Sequence, residues 1–118
     1  MQWYVERKHR CIEQIWNLTC DLIDTGTNAI LELGLVQSQD REDLYSRVDS
    51  SGYELKVYVL EASEDVRRQR VRDRNETKGE TFKMEVPDEI FELASSMWQA
   101  PDDAECSERD IQFVAANR

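Results

Sequence analysis

At 118 residues, 40% hydrophobic and 34% charged with a net charge of -10, the chain has the size of one domain with a modest core. That charge repels a phosphate backbone, which sets nucleic acid aside as the main partner. No apolar run approaches the roughly 18 residues of a membrane span, and no basic-then-apolar signal pattern opens the sequence.

The three cysteines, Cys11, Cys20 and Cys106, are odd in number and form no CxxC pair. Cys11 and Cys20 fall on one predicted helix, about 13 Å apart along its axis and on opposite faces, too far for a disulfide. Three reduced thiols in a reducing, cytoplasmic compartment are expected. With a single histidine, His9, and no HExxH, a catalytic zinc is not expected.

Residues 3 to 24 predict a long amphipathic helix, because Val5, His9, Ile12, Trp16, Thr19 and Ile23 recur on one face. Gly26 follows as its stop. Residues 28 to 35, Asn-Ala-Ile-Leu-Glu-Leu-Gly-Leu, predict a strand covered on both sides as in a parallel sheet. Residues 39 to 51 predict a helix with Leu44 and Val48 inward, ended by Ser51-Gly52. Residues 55 to 60, Leu-Lys-Val-Tyr-Val-Leu, predict a second strand. Ser63 then caps a helix running to about Asn75, with Glu64 and Asp65 in its first turn. A polar loop is expected at 77 to 81.

Pro87 opens another helix with Ile90, Phe91, Ala94, Met97 and Trp98 inward, and Pro101 ends it. Residues 102 to 110 read as an acidic loop and 111 to 114 as a short last strand. The alternation of helices and strands predicts a layered α/β sheet within a single domain over residues 1–118.

Three features carry candidate chemistry. Arg67, Arg68, Arg70, Arg72 and Arg74 crowd into eight residues of an acidic chain. On a helix, Arg67, Arg70 and Arg74 share an arc of roughly 60°, a fork-rich surface for polyphosphate. The same arginines also suit a solvated face paired with Glu64, Asp73 and Glu76. Glu32 sits inside an otherwise apolar segment. At the C-terminal end of a parallel strand it could hold magnesium or accept a substrate proton; an edge position or an ion pair with an arginine would satisfy it equally. Arg41 begins the helix after Glu32, near the same predicted crevice, where a surface role is also open.

Residues 60 to 63 (Leu-Glu-Ala-Ser) leading into residues 66 to 75 (Val-Arg-Arg-Gln-Arg-Val-Arg-Asp-Arg-Asn) resemble the lid segment of the P-loop kinases related to zeta-toxin and chloramphenicol phosphotransferase, an AAA-type ATP-binding group of predicted kinases. Residues 86 to 91 (Val-Pro-Asp-Glu-Ile-Phe), then Trp98-Gln99-Ala100-Pro101 and Glu105, resemble the C-terminal helix of that family and the turn after it. Leu31-Glu32-Leu33-Gly34-Leu35, with Arg41 downstream, looks like its Walker-B-like strand and substrate-side helix.

The resemblance implies a three-layer, P-loop NTPase-like parallel sheet and ATP-dependent phosphoryl transfer to a small molecule. It implies ATP and magnesium as cofactors, with Arg67, Arg70 and Arg74 on the nucleotide, Glu32 on magnesium and Arg41 on the substrate or another phosphate. The chain departs from the family in having no G-x-x-x-x-G-K-[ST]. The first strand and phosphate loop are therefore expected to be missing, leaving a partial sheet with open edges. A homodimer built on the long N-terminal helix with Trp3 and Trp16 is expected to compensate. The alternative is a non-catalytic oligomeric binding protein on the same scaffold. Neither a nucleic acid nor a membrane is expected as partner.

Overall fold

A computed structural model describes residues 2–77 and 86–115. It divides into two compact units, Met1–Gly34 and Leu35–Arg118.

The first unit is one long helix and an extended return. Helix α1, Gln2–Asp24, turns at Gly26, whose φ of 88° is open to glycine at little cost. The Gly26 and Thr27 N–H groups donate to the Ile23 and Leu22 carbonyls, closing the exposed helix end. The chain then doubles back, since Lys8 Nζ donates to the Gly34 carbonyl at 2.8 Å. The lengths agree: sixteen helical residues rise about 24 Å, and eight extended residues span about 26 Å.

Residues 27–36 form no strand. This corrects the expectation of a sheet strand at 28 to 35. Ile30 and Glu32 are exposed while Leu31 and Leu33 are half-buried, so the period-two alternation is present. What is lacking is a neighbouring strand: alternation makes a segment fit for a sheet, and only a ladder partner makes it one.

The second unit holds the remaining elements in the order α2 (Ser38–Ser51), β1 (Val57–Glu61), α3 (Glu64–Thr77), α4 (Asp88–Ser96), α5 (Asp103–Glu108) and β2 (Ile111–Ala115). The two strands pair in parallel, with Val57 opposite Ile111 and Glu61 opposite Ala115. A parallel pair needs a crossover connection, here residues 62–110, whose described residues include α3, α4 and α5. The result is a mixed α/β unit with a small, two-stranded parallel sheet among the described residues.

The residues expected as an acidic loop at 102 to 110 contain a helix instead. Asp102 caps it by accepting from the Glu105 N–H at 2.9 Å, which turns an acidic run into a helix start. The expected inward face of α4 is narrower than its sequence suggested. Phe91 alone of that set is buried, and Ile90 and Trp98 stay largely exposed.

Polar bonds hold the start of α2. Its N-cap, Gln37, makes no side-chain cap, so the Ser38 N–H donates to Gln99 Oε1 at 2.8 Å. Gln37 Nε2 in turn donates to the Met97 carbonyl, and the Gln99 N–H to the Val36 carbonyl, both at 2.8 Å. The apolar core of the described residues is only Tyr45, Val48 and Phe91. No described helix is long and apolar enough to cross a membrane.

Helix α2 ends on Gly52 at φ 72°, with the Gly52 and Tyr53 N–H groups donating to the Asp49 and Val48 carbonyls. A Cβ there would meet nothing within 4 Å, so Gly52→Ala carries only the backbone penalty of the left-handed region. We expect about 1 kcal/mol of lost stability, with Gly52→Asn losing less. Thermal unfolding followed by circular dichroism checks this: equal midpoints for the parent and Gly52→Ala would contradict it.

Candidate functional site

The arginine helix follows β1 directly. Ser63 Oγ accepts from the Val66 N–H at 3.2 Å, and Glu64 and Asp65 occupy the first turn, where the helix dipole favours acids. Helix α3 therefore begins just past the C-terminal end of a parallel strand, the side on which open α/β sheets bind ligands.

The five arginines divide between two faces. Arg68 donates to Glu92 and to Glu64, each at 3.2 Å, and Arg72 makes a forked pair with Asp88 at 3.2 and 2.9 Å. These bonds zip α3 to α4. Arg67 joins them through Ser95 Oγ at 3.3 Å. The Arg67 and Arg68 guanidiniums lie 5.6 and 4.9 Å from the Phe91 ring centre, so the buried ring sits between two cations. Arg70 and Arg74 start about 70–110° around the helix from that contact. Both are half-buried, and Arg74 makes no ion pair among the described residues. Asn75 closes the hairpin, donating to the Val86 carbonyl at 2.7 Å and accepting from the Val86 N–H at 2.9 Å.

Arg41 does not face an open crevice. It is 4% exposed. Its Nε and Nη2 donate to Glu105 at 2.8 and 3.1 Å, and Nη1 donates to the Leu35 carbonyl at 3.0 Å. Tyr45, one turn along α2, donates its hydroxyl to the same carboxylate at 2.6 Å. Arg109 stacks over the Tyr45 ring at 4.5 Å while its fork holds Asp49 at 2.8 and 2.7 Å.

Burial alone would push the Glu105 carboxyl up. The hydrogen bonds from Arg41 and Tyr45 and the arginine's charge outweigh it, and the group lies below its ordinary value. Burial, and then donation to that carboxylate, pushes the Tyr45 phenol well above its usual range. Glu105 is the residue whose role sequence reasoning passed over. One signal pointed to it: the i, i+4 pair Arg41 and Tyr45 puts two strong donors on one face of α2, and such a face needs a buried acceptor.

Glu32, in the first unit, is exposed on the extended return, not inside a strand. No group of three potential metal ligands forms among the described residues. A depression of about 60 Å³ lined by Lys56, Val57, Tyr58, Asp110 and Gln112 lies at the N-terminal ends of the two strands. It has room for about two waters and is far below the roughly 300 Å³ of a ligand pocket.

Removing Arg41 alone leaves a buried carboxylate without its cation. Arg41→Met is expected to lower stability by about 3–5 kcal/mol. A carboxyl held low in the folded chain contributes stability that is complete above its unfolded value of about 4.3 and drains as pH falls through the folded value. Glu105→Gln should therefore be less stable at neutral pH and lose less on acidification. Urea unfolding between pH 7 and 3 checks both; parallel pH curves for the parent and Glu105→Gln would contradict the assignment.

Neither the curated proteins nor the solved structures returned a match. Among family models, that of an AAA domain matches residues 1–109, a stretch that takes in every helix described above and β1 and stops just short of β2. The chain belongs to the AAA domain family.

Proposed function

We propose that the chain carries a P-loop kinase-like scaffold of the zeta-toxin and chloramphenicol phosphotransferase type, with ATP-dependent phosphoryl transfer to a small molecule as its ancestral activity. The supporting observation is the order of parts: a parallel strand, a serine cap, then a helix with Arg67, Arg70 and Arg74 in one arc.

In this reading Arg70 and Arg74 take the nucleotide polyphosphate. Arg67, already bonded to Ser95, steadies the α3–α4 hairpin and adds its charge. Bound ATP supplies the transferable phosphoryl group. By the family resemblance Glu32 would be the carboxylate that holds magnesium, an ion that would offset phosphate charge. Arg41 acts as a positioning residue, since its guanidinium is occupied by Glu105 and Leu35. The 118 residues contain no G-x-x-x-x-G-K-[ST], so among them the phosphate donors of this reading are guanidiniums.

A second reading, a non-catalytic oligomeric binding protein on the same scaffold, draws support from two facts. Arg68 and Arg72 are already neutralised by acids. Among the described residues thirteen large hydrophobic side chains are exposed against three buried, and exposed apolar surface of this kind marks interaction sites.

Calorimetric titration with Mg-ATP separates the two readings. The first expects saturable binding tighter than about 100 μM, or roughly −5.5 kcal/mol. It also expects loss of at least about 100-fold in Arg70→Ala/Arg74→Ala, from two charge-assisted contacts of about 1.5–3 kcal/mol each. Unchanged affinity in the double variant would refute the assigned roles, and no binding by the parent would favour the second reading.

A further inference from the structure

Helix α1 carries a second apolar stripe, distinct from the one that the extended return covers. Tyr4, Cys11, Ile15, Leu18 and Leu22 are all exposed, Leu18 by 60%. With Lys8 they follow the steps 4, 3, 4, 3, 4 (residues 4, 8, 11, 15, 18 and 22). That is an unbroken heptad seam, with Lys8, Ile15 and Leu22 at a and Tyr4, Cys11 and Leu18 at d. The covered flank, Val5, Ile12 and Thr19, falls at e. The open flank, Arg7, Gln14 and Asp21, falls at g and is exposed throughout.

The charges on that open flank select the occupant. We propose that α1 pairs with α1 of a second copy of this chain, antiparallel and about a twofold axis. Antiparallel a–d layers set Ile15 against Cys11, Leu18 against Lys8 and Leu22 against Tyr4. The same register brings the g flanks together so that Arg7 meets Asp21 of the other copy, twice by symmetry, and Gln14 meets Gln14 on the axis. Arg7 and Asp21 make no ion pair within the described residues of one copy; Arg7 rests on the Trp3 ring at 4.6 Å.

A parallel pair fits worse. It would set Lys8 against Lys8 in the seam, with like charges opposed, and would place Arg7 beside Ile12 and Gln14 beside Thr19, with no charge partner in reach. The antiparallel pair instead lays the Lys8 stem against Leu18, with the ammonium already held on the Gly34 carbonyl. The proposal is independent of whether nucleotide binds.

Analytical ultracentrifugation of the full chain tests it. A dimer is expected by about 100 μM. Arg7→Asp and Asp21→Arg should each weaken it about tenfold, since each creates two like-charge contacts, and the double exchange Arg7→Asp/Asp21→Arg should return to within about threefold of the parent. Circular dichroism of each variant establishes that the helix persists. Orientation has its own test in a Cys20→Ser/Cys106→Ser background oxidised with glutathione disulfide. Adding Ile15→Cys should yield a covalent dimer through Cys11 and position 15, while Cys11 alone should not. A monomer at about 100 μM, single charge exchanges without effect, or efficient crosslinking through Cys11 alone would each overturn the proposal.

Discussion

The second unit depends on one buried carboxylate. Glu105 receives two arms of the Arg41 guanidinium and the Tyr45 hydroxyl, and no buried side-chain nitrogen or oxygen among the described residues is left without a partner. A buried ion pair is costly to desolvate and is worth having only when its geometry is complete. Here it is complete, and it joins α2 to α5 across 64 residues of chain. Closing such a loop costs only logarithmically more than closing a short one, so a single well-satisfied contact can fix the distant ends of this unit. The apolar alternative is thin, because Tyr45, Val48 and Phe91 are the buried hydrophobic set among the described residues and Tyr45 belongs to the polar network as well.

The same economy governs the arginine helix. A net charge of -10 suggests a surface hostile to phosphate, yet screening cuts exposed charges off beyond roughly 8 Å, so local pairing matters more than the sum. On α3 the pairing is uneven. Arg68 and Arg72 meet acids of α3 and α4 and build the hairpin, whereas Arg74 meets none among the described residues. One face of the helix is thus used for assembly, while Arg74, half-buried, carries no ion pair among the described residues. Spacing gives the two faces, and only the position of Glu92 and Asp88 on α4 decides which is consumed.

What could be read from the sequence follows the range of the interactions involved. Helices α1 to α4 and both strands were legible because period, caps and stops are local: Ser63 before Glu64-Asp65, Pro87 before Asp88-Glu89, Gly26 and Gly52 after their helices. The arc of Arg67, Arg70 and Arg74 was legible for the same reason. Residues 28 to 35 misled because their apolar run was read as covered on both sides, whereas Ile30 is left bare and the segment pairs with no strand among the described residues. Helix α5 was hidden in an acidic run whose capping residue, Asp102, looks like any other loop aspartate. Arg41 was placed near a crevice because its partner lies 64 residues away, and nothing in the neighbouring residues announces a buried acid.

The two incompletely covered parts of the chain require different complements. The exposed stripe of α1 has heptad spacing, the pattern that a second helix of matching register complements. The sheet is a different case. Parallel strands are found with both faces covered, and β1 leaves Tyr58 and Leu60 open, the latter by 72%, while β2 leaves Phe113 and Val114 partly bare. Among the described residues the sheet has two strands, so each strand has an outer edge with no ladder partner there. The two proposals therefore call on different residues: self-association on the seam and g-flank of α1, nucleotide binding on Arg70 and Arg74 of α3, so substitutions in one set test it without touching the other.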